Sequence, residues 1–139
     1  MNATEQLAET DRWLRYAEED LTTAETLLRQ PHIVPRHVCW FAQQAAEKTL
    51  KAVLVFLQID FPRTHDLDVL RNLVPDDWQF KEVCPDLASL TQWAVEARYP
   101  GNWTEATGAE ANTAVEQARI IYESISTELA QHTGLLQPI

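Results

Sequence analysis

The chain has 139 residues, a formal net charge of -10 and only three glycines, with 45% apolar residues. That length and apolar share suit one globular domain over residues 1–139 with a real core, and the abundance of Ala, Leu, Glu and Gln favours helices over strands. The acidic balance argues against a nucleic-acid docking face, because such faces need Lys and Arg to neutralise phosphates.

Helical periodicity appears at once. Trp13, Tyr16, Ala17, Leu21, Ala24, Leu27 and Leu28 fall on one arc, predicting a first helix over about Thr4 to Gln30. Asp20 falls near the middle of that arc, where an unpaired carboxylate is costly and needs a cation or several donors. Pro31 ends this helix, and the short Pro31–Pro35 loop leads into an antiparallel neighbour.

The second predicted helix, about Arg36 to Ile59, is the organising element. Trp40, Gln44, Glu47 and Lys51 form one stripe, while Ala42, Ala46, Leu50, Val53 and Leu57 lie opposite. Ala45, Ala46 and Ala52 admit a close neighbour. Residues 52 to 57 (AVLVFL) are apolar throughout, which predicts burial on all sides by the chain itself or by a second copy. The run is too short to cross a bilayer.

After a stop at Pro62, Thr64 or Asp66 caps a short third helix bearing Leu67, Leu70 and Leu73. A fourth helix is predicted from about Lys81 or Pro85 to Ala97, with Val83, Leu87, Leu90, Ala94 and Ala97 on its face. Tyr99-Pro100-Gly101-Asn102 breaks it. Thr107 and Glu110 read as a capping box for the last helix, striped by Ala111, Ala114, Val115, Ala118, Ile121, Tyr122, Ile125 and Leu129. The expected fold is an all-α antiparallel up-and-down bundle of four long helices plus one short helix.

Cys39 and Cys84 sit in apolar contexts without metal-ligand spacing and read as reduced core thiols. The first residues lack an apolar stretch of signal-peptide length, so the expected location is cytoplasmic. His32, His37, His65 and His132 share no metal-binding spacing, and no nucleophile motif or Gly-rich phosphate loop occurs, so no metal, cofactor or catalytic residue is assigned.

One polar constellation stands out: Asp20, Gln44, Glu47, Lys48, Lys51, His65 and Arg98. It has two readings. In one, Asp20 and Glu47 belong to a buried polar network and the rest are solvated helix faces. In the other, Gln44, Lys48, Lys51, His65, Arg98 and the neighbouring Tyr99 line a groove that holds an anion such as a nucleotide phosphate. Trp40, Trp78, Trp93, Tyr99 and Trp103 read chiefly as core aromatics. Trp78, Tyr99 and Trp103 lie in or beside loops, where they could also line a groove or a dimer seam.

The Asp20-Leu21 pair, Gln43-Gln44-Ala45-Ala46-Glu47-Lys48-Thr49-Leu50-Lys51-Ala52, Thr64-His65-Asp66-Leu67 and Ala97-Arg98-Tyr99-Pro100 together resemble the HEPN domain, in the family's order and across most of the chain. The resemblance implies a helical bundle that dimerises. It is similar to nucleotide-binding bundles attached to nucleotidyltransferases, and many bacterial members are encoded beside a minimal nucleotidyltransferase, some as toxin and antitoxin. Many HEPN toxins are metal-independent ribonucleases that carry an Arg, four to six residues, then a His. The matching Arg here is Arg98, but Trp103, Thr104 and Glu105 occupy the positions of the His. Without that imidazole the expected proton-transfer group is absent from the motif. The resemblance therefore implies a non-catalytic binding and interaction module, with a divergent ribonuclease toxin as the alternative.

Overall fold

The computed structural model describes residues 1–96 and 105–133, excluding the side chains of Val95 and Glu96. Seven helical segments occur among them: α1 (Ala3–Leu28), α2 (Pro35–Phe56), α3 (Leu67–Leu73), α4 (Phe80–Val83), α5 (Ala88–Thr91), α6 (Trp93–Glu96) and α7 (Gly108–Thr133). The all-α bundle read from the sequence is the fold observed.

Three long helices carry the core. Gln6 reaches the Phe56 carbonyl and Asp20 reaches Lys48, so α1 and α2 run antiparallel. Glu25 meets Arg119 and Glu18 meets Tyr122, so α7 also runs against α1. The contact seams are rich in fully buried alanines: Ala17 and Ala24 on α1, Ala42, Ala45, Ala46 and Ala52 on α2, Ala111 and Ala118 on α7. Small side chains let helix backbones approach closely, and larger residues such as Leu21, Leu50, Leu54, Ile121 and Ile125 fill the space between.

The helix ends follow local chemistry. Asn2 and Glu5 form a capping box at the start of α1, whose first residue, Ala3, lies one position before the expected Thr4. Pro35 opens α2, where its missing N–H is no loss. The α2 terminus is earlier than Ile59, and its cause is a Schellman turn rather than Pro62. Ile59 N–H donates to the Leu54 carbonyl at 2.9 Å and Gln58 N–H to Val55 at 3.1 Å, with Gln58 at φ 57°. Thr107 and Glu110 cap α7 reciprocally at 3.0 and 3.1 Å.

The fourth expected helix is not continuous. Pro85 cannot donate a backbone N–H, and the stretch becomes the separate short segments α4, α5 and α6. Val83, assigned to a buried face, is 57% exposed as a result, while Leu87, Leu90 and Ala94 are buried. Polar side chains hold this irregular region. Glu128 of α7 accepts from Gln79 N–H at 2.7 Å and Phe80 N–H at 3.0 Å. The ammonium of buried Lys81 donates to the Val74 carbonyl and to Asp76, each at 2.7 Å. Arg71 donates to the carbonyls of Lys81 and Cys84.

Two further placements correct the sequence reading. Trp78 lines no surface groove: it is 3% exposed, stacks on His132 with centroids 4.3 Å apart, and meets Phe56 edge-on. Tyr16 stands 44% exposed at the margin of the α1 arc, and Leu14 takes the buried place instead. In the AVLVFL run, Ala52, Val53 and Leu54 are fully buried, and Val55, Phe56 and Leu57 are partly covered. Cys39 and Cys84 are free and buried. No helix among the described residues is long and apolar enough to cross a membrane.

Candidate functional site

Consecutive turns of α2 supply most of the polar cluster, so its spacing is set by the helix itself. Glu47 is the hub. Its Oε2 accepts from the Lys51 ammonium at 2.8 Å, and its Oε1 lies 2.9 Å from His65 Nδ1 and 3.2 Å from Gln43 Nε2. The Glu47 side chain is only 6% exposed. Burial on its own would raise its pKa. The hydrogen bonds from Lys51 and His65, the Lys51 charge and the Gln43 amide outweigh burial and hold the carboxyl below its ordinary value. Glu47 is therefore an anion that accepts from every side.

That fixes the tautomer of His65. A carboxylate has no proton to give, so Nδ1 must be the donor in this contact. In the neutral imidazole the lone pair is then on Nε2, on a side chain that is 52% exposed. The backbone of His65 is held as well, since Gln43 Nε2 donates to its carbonyl at 3.0 Å. Asp66 caps α3 through the N–H groups of Asp68 and Val69, which anchors the loop just beyond His65. Gln43 is fully buried and takes a further bond at its Oε1 from Gln44 Nε2 at 2.8 Å.

Asp20 approaches from α1 and forms an ion pair with Lys48, with side-chain exposures of 18% and 26%. It sits at the edge of the α1–α2 seam rather than inside the core. Lys51 lies over two rings, 5.8 Å from the Trp13 centroid and 5.7 Å from that of Phe61. Cation–π attraction and the Glu47 carboxylate thus hold the same ammonium. Charge in the cluster is balanced: Asp20 and Glu47 stand against Lys48 and Lys51, and His65 adds a positive charge only when protonated.

The structure therefore links Gln44, Glu47, Lys51 and His65 through Gln43 and Glu47, and joins Asp20 to Lys48 in a separate pair on the same helix. Arg98 and Tyr99 lie outside the described residues, as does Trp103. Gln43 was not singled out from the sequence, although it is the residue that ties Glu47 to the His65 backbone. Its signal was its place at the head of the Gln43–Ala52 stretch that carries the family resemblance. No group of His, Cys, Asp and Glu among the described residues is arranged to hold a metal ion. Clefts elsewhere are lined differently. One of about 240 Å³ lies between α5, α6 and the start of α7, beside Ser89, Gln92, Thr113 and Gln117. Another of about 350 Å³ lies between α4 and α7, beside Phe80, Val83 and Ser124.

Comparison with known proteins agrees with this architecture. Residues 10–129 match the family model of the HEPN domain. A Methanocaldococcus jannaschii protein named "Putative toxin MJ1304" is 32% identical over 140 residues, covering 90% of this chain and 91% of that one. Among solved structures, TT1696 from Thermus thermophilus superposes with a TM-score of 0.74 at 23% identity, covering 86% of this chain and 98% of that chain. ST0689, described as an archaeal HEPN homologue, gives a TM-score of 0.66 at 22% identity, covering 93% and 98%. These two show a shared fold.

Proposed function

The chain belongs to the HEPN domain family, and from that membership we propose that it is a non-catalytic binding and interaction module for a nucleotide or a related anion. The contacts assigned to the ligand are Lys48, Lys51, His65 and Gln44, with Arg98 and Tyr99 as further contacts from the sequence. One observation carries this reading: the half-exposed imidazole of His65 is held by the buried Glu47 carboxylate, which also takes the Lys51 ammonium. A fixed, half-exposed imidazole that shares a carboxylate with a lysine is a docking point for a phosphate oxygen. In this reading the module forms a homodimer in the cytoplasm and pairs with a minimal nucleotidyltransferase as a toxin–antitoxin-like system. The name of the archaeal relative supports the toxin side of that pairing.

Calorimetric titration with ATP tests the binding. Wild type binds, and Arg98→Ala and Lys48→Gln weaken binding at least several-fold. Absence of binding by wild type removes the nucleotide. Co-purification of a nucleotidyltransferase encoded by the neighbouring reading frame tests the partner. Its failure to bind the folded protein removes that part.

The second reading, a divergent metal-independent ribonuclease toxin, is favoured by the same His65–Glu47 contact, since an oriented imidazole can move protons. Labelled RNA left intact by a high concentration of purified protein in chelator rejects it.

A further inference from the structure

The face of α7 that meets α4 is longer than α4 can cover. From Ile120 to Gln131 α7 runs about 16 Å, whereas the four residues of α4 make about 6 Å. Pro85 keeps α4 from continuing. What remains along α7 is the cleft of about 350 Å³, with Phe80 and Val83 on the α4 side and Ser124, Thr127 and Gln131 on the α7 side. Val83 is 57% exposed at its edge, and Ile120, one turn before Ser124, is 48% exposed. Ile120, Ser124, Thr127 and Gln131 follow one another at the alternating spacing with which one helix receives another. Carboxylates border this cleft. Glu123 lines it, exposed Glu82 adjoins Val83, and exposed Glu116 lies one turn before Ile120. Among the described residues, Glu82 and Glu116 make no ion pair. Arg119 approaches Glu123 only at 3.6 Å and is held by Glu25. Lys81 and Arg71 are engaged by Asp76 and by backbone carbonyls, and the described residues lining the cleft include no Lys, Arg or His.

We propose that this cleft receives one amphipathic helix of another protein, with its apolar stripe seated against Val83 and Ile120 and its Lys or Arg residues facing Glu82, Glu116 and Glu123. The sign of the rim selects that occupant. Nucleic acid and anionic lipid surfaces are repelled by it. A second copy docked through a two-fold axis would set the same carboxylates opposite one another, which opposes that pairing. A cationic helix instead gains charge pairs at the rim while its apolar side chains fill the space that short α4 leaves open. The inference goes beyond the anion-binding reading and uses none of the residues assigned to it.

The experiment titrates the full chain into three dye-labelled synthetic peptides of about four helical turns and follows fluorescence anisotropy. The first carries Leu at helical a and d positions with flanking Lys. The second replaces every Lys by Glu, and the third keeps the first composition with the Leu stripe scattered. The first peptide is expected to bind, and the other two at least tenfold more weakly. Val83→Ser and Ile120→Ser, both at exposed positions and checked for fold by circular dichroism, are each expected to weaken binding at least fivefold. Glu116→Gln with Glu123→Gln is expected to weaken it likewise, while Asp11→Asn with Glu19→Gln, which removes two exposed carboxylates of α1, leaves it unchanged. Equal loss from the two pairs of charge changes means general attraction to an acidic protein and overturns the proposal. So does equal affinity for the three peptides, indifference to Val83→Ser and Ile120→Ser, or no binding of the first peptide. Sedimentation of Val83→Arg supplies the last arm: an unchanged oligomeric state is expected, and a dimer that falls to monomers would show that a second copy occupies the cleft, which also overturns the proposal.

Discussion

Glu47 Oε1 lies 2.9 Å from His65 Nδ1, and the same carboxylate takes the Lys51 ammonium at 2.8 Å on its other oxygen. A nearly buried anion thus joins the central helix to the loop before α3. Replacing Glu47 by Ala leaves the Lys51 ammonium, the Gln43 amide and the His65 N–H facing a gap. The expected cost is about 2–4 kcal/mol, the range for leaving a buried charge partner unmatched. Urea denaturation at neutral pH measures it, and a loss below about 0.5 kcal/mol would show the network to be idle.

The pH dependence has a definite sign. The folded-state pKa of Glu47 is lowered from the ordinary 4.5, so the folded protein holds this group ionised more strongly than the unfolded chain does. Its contribution is fully present above the unfolded value and is lost as pH falls through the folded one. Denaturation midpoints of wild type and Glu47→Gln should therefore converge on acidification below 4.5 and differ most above it. A constant difference down to strongly acid pH contradicts the assignment.

Asp20 and Lys48 form a partly covered pair between α1 and α2, whereas Arg12 and Glu9 form an exposed pair within α1. A double-mutant cycle should give a coupling of about 1–2 kcal/mol for the first and under about 0.5 kcal/mol for the second. Equal couplings would mean that the interhelical position adds nothing.

Gln58 occupies the left-handed position of the Schellman turn at φ 57°. Glycine adopts this conformation without a Cβ penalty, so Gln58→Gly is expected to stabilise the protein by about 0.5–1 kcal/mol in thermal melts. A lower melting temperature would mean that the Gln58 side chain contributes more than the backbone strain costs.

Burial raises the pKa of both thiols, that of Cys39 to about 12 with a further push from Glu110. The thiolate is the reactive form, so both cysteines should resist disulfide reagents at pH about 8 until the protein opens. Labelling kinetics in increasing urea should track unfolding. Fast labelling in native buffer contradicts the buried placement.

The long helices were legible because apolar residues recur at helical spacing along each, and their limits lie within a few residues of the observed ones at α1, α2 and α7. The broken stretch from Phe80 to Glu96 was less legible. Leu87, Leu90 and Ala94 keep helical spacing there, yet Pro85 and the capping of Gln79 and Phe80 by Glu128 divide it. Glu128 is 48 residues away from Phe80, and no local pattern announces it. In the polar cluster, the proximity of Gln44, Glu47, Lys48 and Lys51 follows from one helix. The arrival of Asp20 and His65 is a matter of tertiary docking, and the part played by Gln43 depends on a backbone carbonyl that carries no sequence signature.

The most direct measurement of the central claim is the tautomer of His65, read from imidazole nitrogen chemical shifts by NMR at an alkaline pH of about 8.5, where imidazoles are neutral. Free histidine prefers its proton on Nε2. The account predicts the opposite for His65, a proton on Nδ1 held by Glu47, and a return to the ordinary preference in Glu47→Ala. A wild-type His65 carrying its proton on Nε2 would contradict it.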